Sequence, residues 1–271
     1  MSVAKLPKNS RWKNKWALVT GATSGIGRAL AEELASVGVN LILTGRRLDR
    51  LEAAAAELSS RYGNQAHFFQ ADLALPDSPR KIWEFTESCR IQIEVLVNNA
   101  GLLEYGEFAT SDLDKQLAMV QVHCLATTHL SRLYLPGMVQ RKSGDVLIVA
   151  TTTLIPAPYL STYAASKGFL LLFAEGVREE VAKHGVNVSA LCAGPTESEL
   201  HANAQVSSGE KSRLLQPARE VAQRALAGLA ARKARIHPSL LAWVSAVVPR
   251  LLPRSTVSGG AEKVYRPAMP P

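Results

Sequence analysis

The chain has 271 residues, of which 47% are hydrophobic and 20% charged; this is the composition of one ordinary globular domain, not of a disordered or fibrous chain. Its net charge is +8, but the basic residues are scattered in short clusters without interleaved aromatic side chains, so we expect no nucleic-acid partner. The three cysteines are widely spaced, and there is neither an apolar leader nor an apolar run of about 18 residues; we therefore expect a cytoplasmic protein without a disulfide framework, metal site or membrane span.

Short apolar, β-rich runs alternate along the chain with longer segments in which apolar residues recur at helical spacing. The short runs are apolar on both faces, as buried parallel strands are. The alternation predicts a single α/β domain with a Rossmann-like, doubly wound and mostly parallel sheet of six or seven strands. Strands are predicted at 16–20, 39–44, 66–70, 93–97, 146–149 and 186–191, and helices at 25–37, 48–61, 78–90, 112–138, 161–184 and 218–231.

The predicted domain occupies residues 15–238, between an N-terminal extension at 1–14 and a partly helical C-terminal extension at 239–271. A polar segment at about 197–217 interrupts the strand–helix rhythm after the sixth strand. Long irregular inserts at such places are often lids, so we predict a substrate loop here, with a disordered surface loop as the alternative.

A glycine-rich turn follows the first predicted strand and opens a helix. Gly21 permits a tight turn, Gly25 allows the backbone to approach a pyrophosphate, and Gly27 lets the helix pack on the strand. The free N–H groups of the helix start favour an anion. The spacing is GxxxGxG and not GxGxxG, but its place between strand and helix indicates a dinucleotide site. The predicted cofactor-binding residues of this turn are Gly21, Thr23, Ser24, Gly25, Ile26 and Gly27.

The second predicted strand ends at Gly45 and Arg46. NAD binders carry an acid here for the ribose hydroxyls, whereas an arginine suits the 2′-phosphate of NADP. The sequence therefore predicts NADP(H) rather than NAD(H), and a merely solvated arginine is the alternative.

Tyr163 and Lys167 are four residues apart and lie on one face of a predicted helix. A free phenol has a pKa of about 10, and a neighbouring ammonium group favours the phenolate. Tyr163 is therefore a candidate general acid or base near neutral pH, although such a pair can also be an exposed pair without function.

Together and in this order, the motifs of the chain resemble those of the short-chain dehydrogenase/reductase family over roughly residues 15–236. The resemblance implies a nicotinamide-dependent oxidoreductase in which Tyr163 is the general acid/base and Lys167 holds the nicotinamide ribose and lowers the pKa of the phenol. It also implies adenine contacts from Asp72 and Leu73, and contacts to the nicotinamide amide from Pro195 and Thr196. The matching motifs are TGxxxGIG at 20–27, Asp72-Leu73, the cofactor wall Asn99-Ala100-Gly101 with the preceding Asn98, YxxxK at 163–167 and Gly194-Pro195-Thr196.

Two positions depart from the family pattern. The family serine falls on Ala150 when counted back from Tyr163, and on Thr151 when aligned from Gly144 along the strand; we prefer Thr151 because a strand end fixes position better than a loop. Thr152 or Thr153 are alternatives, or all three threonines are only strand-end residues. The family asparagine that holds a water falls on His123, which either carries protons or is a buried structural histidine.

These residues predict hydride transfer between NADP(H) and a carbonyl or secondary alcohol. The expected pocket rim, at 102–103, 154–156 and 159–160, is mostly apolar, so we expect a steroid-like or long-chain ketone and not a sugar or acyl thioester. The alternative is a dinucleotide-binding sensor or scaffold with weak or no catalysis. The intact Tyr163–Lys167 pair disfavours it, since neither residue is needed merely to bind a cofactor.

Two further segments predict partners. The resemblance implies a homodimer or homotetramer through the helices at 112–138 and 161–184, and the apolar run at 169–173 exceeds what one buried stripe needs. The apolar segment at 240–248, followed by Arg250 and Arg254, predicts peripheral membrane contact; packing on the domain or on a partner is the alternative.

Overall fold

A computed structural model of the chain describes residues 6, 10–151, 155–197, 215–248 and 252–266. Within these residues seven parallel strands form one sheet, in the order β3-β2-β1-β4-β5-β6-β7. The strands are β1 (Trp16–Thr20), β2 (Asn40–Gly45), β3 (Ala66–Gln70), β4 (Ile93–Asn98), β5 (Asp145–Thr151), β6 (Asn187–Ala193) and β7 (Arg235–Ile236). The predicted doubly wound α/β fold is confirmed, and the two-residue β7 is the strand that the sequence analysis did not locate.

The helices cover both faces of this sheet because most strand residues are apolar on both sides. They are α1 (Gly25–Ser36), α2 (Leu48–Tyr62), α3 (Ser78–Ser88), α4 (Leu113–Val120), α5 (Thr127–Gln140), α6 (Ser161–Ala182), α7 (Ala218–Ala230), α8 (Leu240–Val247) and α9 (Arg254–Tyr265). One core lies between the sheet and α1, α2 and α7, and the second lies between the sheet and α3, α5 and α6. The strand order reverses between β1 and β4, and ligands of such sheets bind at the carboxyl ends of the strands there.

The single helix predicted at 112–138 is divided in the structure. A π-helical turn, Gln121–Ala126, separates α4 from α5. Such turns shift the hydrogen-bond pattern and are frequent at functional sites. This one carries His123, whose side chain is fully buried.

The described part of the C-terminal segment contains α8 and α9. The small residues Ala242 and Ala246 on α8 are buried, while Leu240, Trp243 and Val248 are exposed. Among the described helices, none combines the length and the hydropathy that crossing a bilayer requires. Of the substrate loop predicted at about 197–217, residues 198–214 lie outside the described residues, as do Thr152, Thr153, Leu154 and Arg250.

Candidate active site

One cleft of about 250 Å³ lies at the carboxyl ends of the strands. It brings together residues that are far apart in sequence, and most of the predicted cofactor-binding residues line it. Gly27, Pro195, Thr151 and His123 are not among its lining residues. The predicted site residues that line it are Gly21, Thr23, Ser24, Gly25, Ile26, Arg46, Asp72, Leu73, Asn99, Ala100, Gly101, Tyr163, Lys167 and Thr196.

The glycine turn has a backbone conformation that residues with a side chain adopt only rarely. Gly21 has a φ of +65° and Gly25 a φ of +53°, both in the left-handed region. A Cβ atom on Gly27 would lie 2.2 Å from the carbonyl oxygen of Gly21, so α1 packs directly on the turn. The side chain of Ser24, the residue before α1, makes no capping hydrogen bond. The start of α1 therefore offers backbone N–H groups to an anion, which fits a dinucleotide phosphate.

A hydrogen-bonded brace joins this turn to the end of β4. The Thr20 hydroxyl donates to the carbonyl of Val97 (3.1 Å) and accepts from the backbone N–H groups of Asn99 (2.9 Å) and Ala100 (3.0 Å). The Asn99 side-chain amide donates to the Thr20 carbonyl at 2.8 Å. The brace holds the two sides of the crevice together. The bracing role of Thr20 was missed in the sequence, where its only signal was its place at the start of the glycine motif.

Two arginines, not one, line the cleft at the end of β2. Arg46 is exposed at the cleft mouth, and Arg47 is partly buried. The Arg47 guanidinium donates to the Thr23 hydroxyl at 3.0 Å, which ties the end of β2 to the glycine turn. Gly45 places no carboxylate between them and the cleft. The residues present therefore fit a phosphate on the adenosine ribose, and Arg47 is a candidate that the sequence analysis missed although the doublet was visible.

Tyr163 and Lys167 meet inside the cleft. The Lys167 ammonium is buried, donates to the carbonyl of Val149 at 2.8 Å and lies 5.9 Å from the centroid of the Tyr163 ring. Burial lowers the pKa of Lys167 to about 8. Burial, and after it the neighbouring Tyr265, raises the pKa of Tyr163 to about 12. The expected lowering of the phenol pKa by Lys167 is therefore not seen in the chain alone, where burial has the largest effect on the pKa of Tyr163. A neutral phenol is a proton donor.

His123 is hydrogen-bonded at both ring nitrogens. Nε2 accepts from the backbone N–H of Leu102 at 3.0 Å, so in the neutral ring Nδ1 carries the proton and donates to the Ser166 hydroxyl at 2.7 Å. Ser166 in turn donates to the Tyr163 carbonyl at 2.9 Å. Burial, and then Lys167, lowers the pKa of His123 well below its ordinary value. This geometry favours the structural interpretation of His123: it links the loop after β4 to the helix that carries Tyr163.

Thr151, the residue predicted to polarise a substrate carbonyl, is not among the residues that line the cleft. Ala150 lines the cleft, whereas the Thr151 hydroxyl lies 3.5 Å from the carbonyl oxygen of Ala193 on the neighbouring strand. Thr196 is buried, lines the cleft and donates to the Gly194 carbonyl at 2.9 Å. Thr151 therefore stays a prediction, as does the contact of Thr196 with the nicotinamide amide.

We expect Lys167→Met to raise the stability of the cofactor-free chain at pH 7 by about 1–3 kcal/mol, because a buried ammonium group opposes folding. The folded pKa of about 8 is below the ordinary lysine pKa of 10.5, so the unfolded chain binds more protons between these values. The wild type therefore gains stability as pH rises through this window, and the advantage of the variant shrinks.

Thermal unfolding at pH 7 and pH 10 measures the effect of this substitution. Lys183→Met, which removes an exposed ammonium group just after the same helix, is the matched control and should change little at either pH. A Lys167→Met chain that is less stable than wild type at pH 7 contradicts the expectation.

The amino-acid sequence is similar to those of known proteins. A family model described as short chain dehydrogenase matches residues 15–208. The very-long-chain 3-oxoacyl-CoA reductase of Bos taurus is 35% identical over 185 residues, which are 66% of this chain and 59% of the bovine protein. Hydroxysteroid dehydrogenase-like protein 1 of Gallus gallus is 36% identical over 180 residues, 65% of this chain and 54% of that protein. The chain thus spans less than two thirds of the length of these relatives.

A solved structure is similar over nearly the whole chain. The short-chain dehydrogenase from Sphingobium yanoikuyae, in complex with NADPH, superposes with a TM-score of 0.79 at 27% identity. The match covers 92% of this chain and 94% of that one. The similarity therefore extends past the region of the family model.

Proposed function

Because the chain belongs to the short-chain dehydrogenase family, we propose that it is an oxidoreductase that transfers a hydride between NADP(H) and a ketone or secondary alcohol of an apolar substrate. The observation that carries this proposal is the meeting of Tyr163 and Lys167 in the same cleft as the glycine turn and Arg46. Binding a dinucleotide does not require the Tyr163–Lys167 pair, so the pair favours an enzyme over a sensor or scaffold.

The proposal gives a role to the cofactor and to four residues in or near the cleft. The cofactor, when bound, supplies the hydride. Tyr163, a neutral phenol in the chain, donates its proton to the carbonyl oxygen as negative charge develops there. Lys167 holds the nicotinamide ribose and stabilises the phenolate that remains. Thr151 is proposed to hydrogen-bond the same oxygen, and His123 positions the turn of α6 that carries Tyr163.

The substrate class is proposed to be a long-chain or ring-shaped apolar ketone. The described part of the expected rim has partly buried apolar residues, Leu102, Leu103, Ile155 and Leu160, which offer no charge to orient a sugar. The names of the bovine and chicken relatives refer to 3-oxoacyl-CoA and hydroxysteroid chemistry. The 3-oxoacyl thioester, which the sequence analysis set aside, is therefore a substrate to test beside long-chain and steroid ketones.

The experiment is an assay of a substrate panel, in which turnover is measured as the loss of NADPH absorbance. We expect turnover of long-chain 3-oxo compounds or steroid ketones and none of sugars. Turnover confined to sugars or small polar carbonyls would overturn the substrate class. Tight NADPH binding with no turnover of any ketone would favour the sensor or scaffold.

We expect Arg46→Ala to weaken NADPH binding more than NADH binding, by about tenfold, because only NADPH carries the phosphate that the guanidinium would hold. Arg47 lies beside it, so the double variant Arg46→Ala/Arg47→Ala should reduce the preference further. Dissociation constants for both reduced cofactors measure this, with Arg50→Ala on the exposed side of α2 as the control. An unchanged NADPH-to-NADH ratio in the double variant contradicts the assignment.

A homodimer or homotetramer is proposed through α4 and α6. Leu113, Leu117 and Val120 form a stripe along α4 and are exposed, as are Phe169 and Leu172 on α6. A large contiguous apolar patch on a chain's surface marks an interaction site, and a second copy presents the complementary face.

We expect Leu117→Arg/Leu172→Arg to convert the oligomer to a monomer, because each arginine would place an unpaired charge in the apolar interface. Sedimentation measures the mass at micromolar concentration. Leu75→Arg changes a leucine that is similarly exposed, in the turn after β3, and should leave the oligomer intact. A wild-type mass of 29.2 kDa contradicts the proposed assembly.

Peripheral contact with an anionic bilayer is proposed for the outer face of α8, in a protein that we propose to be cytoplasmic. The side chain of Leu240 is 76% exposed and that of Trp243 is 50% exposed, and the exposed Arg254 follows at the start of α9. Tryptophan and arginine side chains suit the membrane interface. Co-sedimentation with phosphatidylglycerol but not phosphatidylcholine vesicles supports the proposal, and absence of binding to both overturns it.

A further inference from the structure

Three segments that are distant in sequence meet beside Tyr163: the loop after β4, the loop before α6, and α9. The Tyr105 hydroxyl donates to the backbone carbonyl of Tyr265. The Tyr159 hydroxyl donates to Glu262 and accepts from Arg266, each at 3.2 Å. Arg266 and Glu262 also form an ion pair at 2.6 Å. The described part of α9 is thus fastened to both loops by tyrosines; we call these contacts the α9 latch.

The backbone of the latch supports a functional interpretation. Tyr159 has a φ of +66°, a left-handed conformation that is sterically unfavourable for a bulky side chain. The backbone N–H of Gly106 donates to the Tyr159 carbonyl at 3.0 Å and helps to hold that conformation, while the rings of Tyr105 and Tyr159 lie 6.5 Å apart. Conformations of this kind persist where the surroundings enforce them, and they cluster at ligand sites.

Tyr265 reaches the reactive centre from outside the cofactor cleft. Its carbonyl accepts from the Tyr105 hydroxyl, in the loop that continues from the cleft residues Asn99, Ala100 and Gly101, although Tyr265 itself is not among the residues that line the cleft. In agreement with this placement, Tyr265 contributes, after burial, to the raised pKa of Tyr163. Burial also raises the pKa of Tyr265, so its phenol is neutral and largely desolvated. Tyr163 lines the cofactor cleft and Tyr265 does not, so a substrate that reaches Tyr163 from outside that cleft would pass the end of α9.

We propose that Tyr265 is a substrate-contacting residue and that α9, held by the latch, forms the outer wall of the substrate pocket. This inference rests on the proposed function and deepens it. The ring of Tyr265 limits the bulk of the group attached to the carbonyl, and the aromatic faces of Tyr105 and Tyr159 suit an apolar substrate body. A slim alkyl chain passes this wall more readily than a fused-ring ketone.

The test of the wall compares a linear long-chain ketone with a steroid ketone. Tyr265→Ala is expected to raise kcat/KM for the steroid relative to the linear ketone by about tenfold or more, the scale on which pocket walls discriminate substrates. Tyr265→Phe keeps the ring and should keep the wild-type ratio. The Kd for NADPH should be the same in all three proteins. A ratio that changes less than about twofold in Tyr265→Ala overturns the proposal.

The test of the latch uses a readout that does not depend on turnover. Tyr159→Phe removes the hydroxyl contacts with Glu262 and Arg266, so hydrogen exchange of the α9 amides should become faster. Lys263→Ala changes an exposed residue of the same helix and should leave the exchange unchanged. Equal exchange in Tyr159→Phe and wild type overturns the latch.

The two proposals can fail separately. If the wild type turns over an apolar ketone but Tyr265→Ala keeps the wild-type ratio, only the wall is overturned. If the wild type turns over none, the proposed function fails, and calorimetric binding of the two ketones to the NADPH complex replaces turnover. A binding ratio that shifts in Tyr265→Ala then still supports the wall, and an unchanged ratio overturns it.

Discussion

Replacing Tyr163 with phenylalanine is expected to lower kcat by about 10²- to 10⁴-fold, the contribution of a positioned general acid. The substitution removes the hydroxyl of a neutral phenol that lines the cleft close to the buried ammonium group of Lys167. It keeps the ring, and Ser166 bonds to the backbone carbonyl of residue 163, so the local fold should be unchanged. The dissociation constant for NADPH should stay within about twofold of wild type, since the lost hydroxyl acts on the substrate.

Tyr62→Phe is the matched control for this loss. Tyr62 does not line the cleft, and its hydroxyl donates to Glu32 on α1 at 3.2 Å, so kcat should not change. Steady-state turnover of NADPH and a binding titration measure the two quantities separately. Turnover within tenfold of wild type in Tyr163→Phe would refute the assignment of Tyr163 as the proton donor.

The second large effect is expected from Gly27→Ala, which adds one methyl group under the glycine turn. The new Cβ would lie 2.2 Å from the Gly21 carbonyl oxygen and 2.3 Å from the Asn99 side-chain amide. The Asn99 amide belongs to the brace and also donates to the Gly21 carbonyl at 3.3 Å, so α1 must move away from the turn. We expect a loss of about 1–3 kcal/mol in stability from overpacking. NADPH affinity should fall roughly 10- to 100-fold, at about 1.4 kcal/mol for each factor of ten.

Gly176→Ala provides the matched control, because it makes the same chemical change inside a helix where a Cβ would meet no atom within 4 Å. It should leave NADPH binding unchanged and stabilise α6 by about 0.5–1 kcal/mol, since alanine has less backbone freedom to lose. Calorimetry of unfolding and of NADPH binding separates the two variants. Equal NADPH affinity in Gly27→Ala and wild type would contradict the assignment of the glycine turn as the phosphate-binding site.

The sheet could be predicted from the sequence because its central strands are buried on both faces and therefore consist of apolar runs. The strand predicted at 39–44 lies at Asn40–Gly45, a shift of one residue. The two-residue strand Arg235–Ile236 is too short to show any period. Trp12, in the segment assigned to the N-terminal extension, is fully buried and donates to Asp145 at 2.8 Å, a contact that no local pattern indicates.

Parts of the candidate site could likewise be predicted from local sequence patterns, whereas other parts depend on tertiary packing. The glycine turn, Arg46 and the Tyr163–Lys167 pair are encoded by local spacing, and the cleft brings them together. The hydrogen bonds of His123 could not be predicted, because its partners Leu102 and Ser166 come from other segments and the π-helical turn depends on that packing. The α9 latch joins residues more than a hundred positions apart, and it likewise leaves no signal in the local sequence.

The central claim is that the chain passes a hydride to a carbonyl carbon, and isotope transfer tests it most directly. The full chain would be incubated with NADPH deuterated at both positions of nicotinamide C4 and, in separate reactions, with a long-chain 3-oxoacyl thioester, a long-chain ketone and a steroid ketone. The proposal predicts one deuterium at the new carbinol carbon of at least one product by mass spectrometry, and its loss in Tyr163→Phe. Bound NADPH with no deuterated alcohol from any of the three substrates would contradict it.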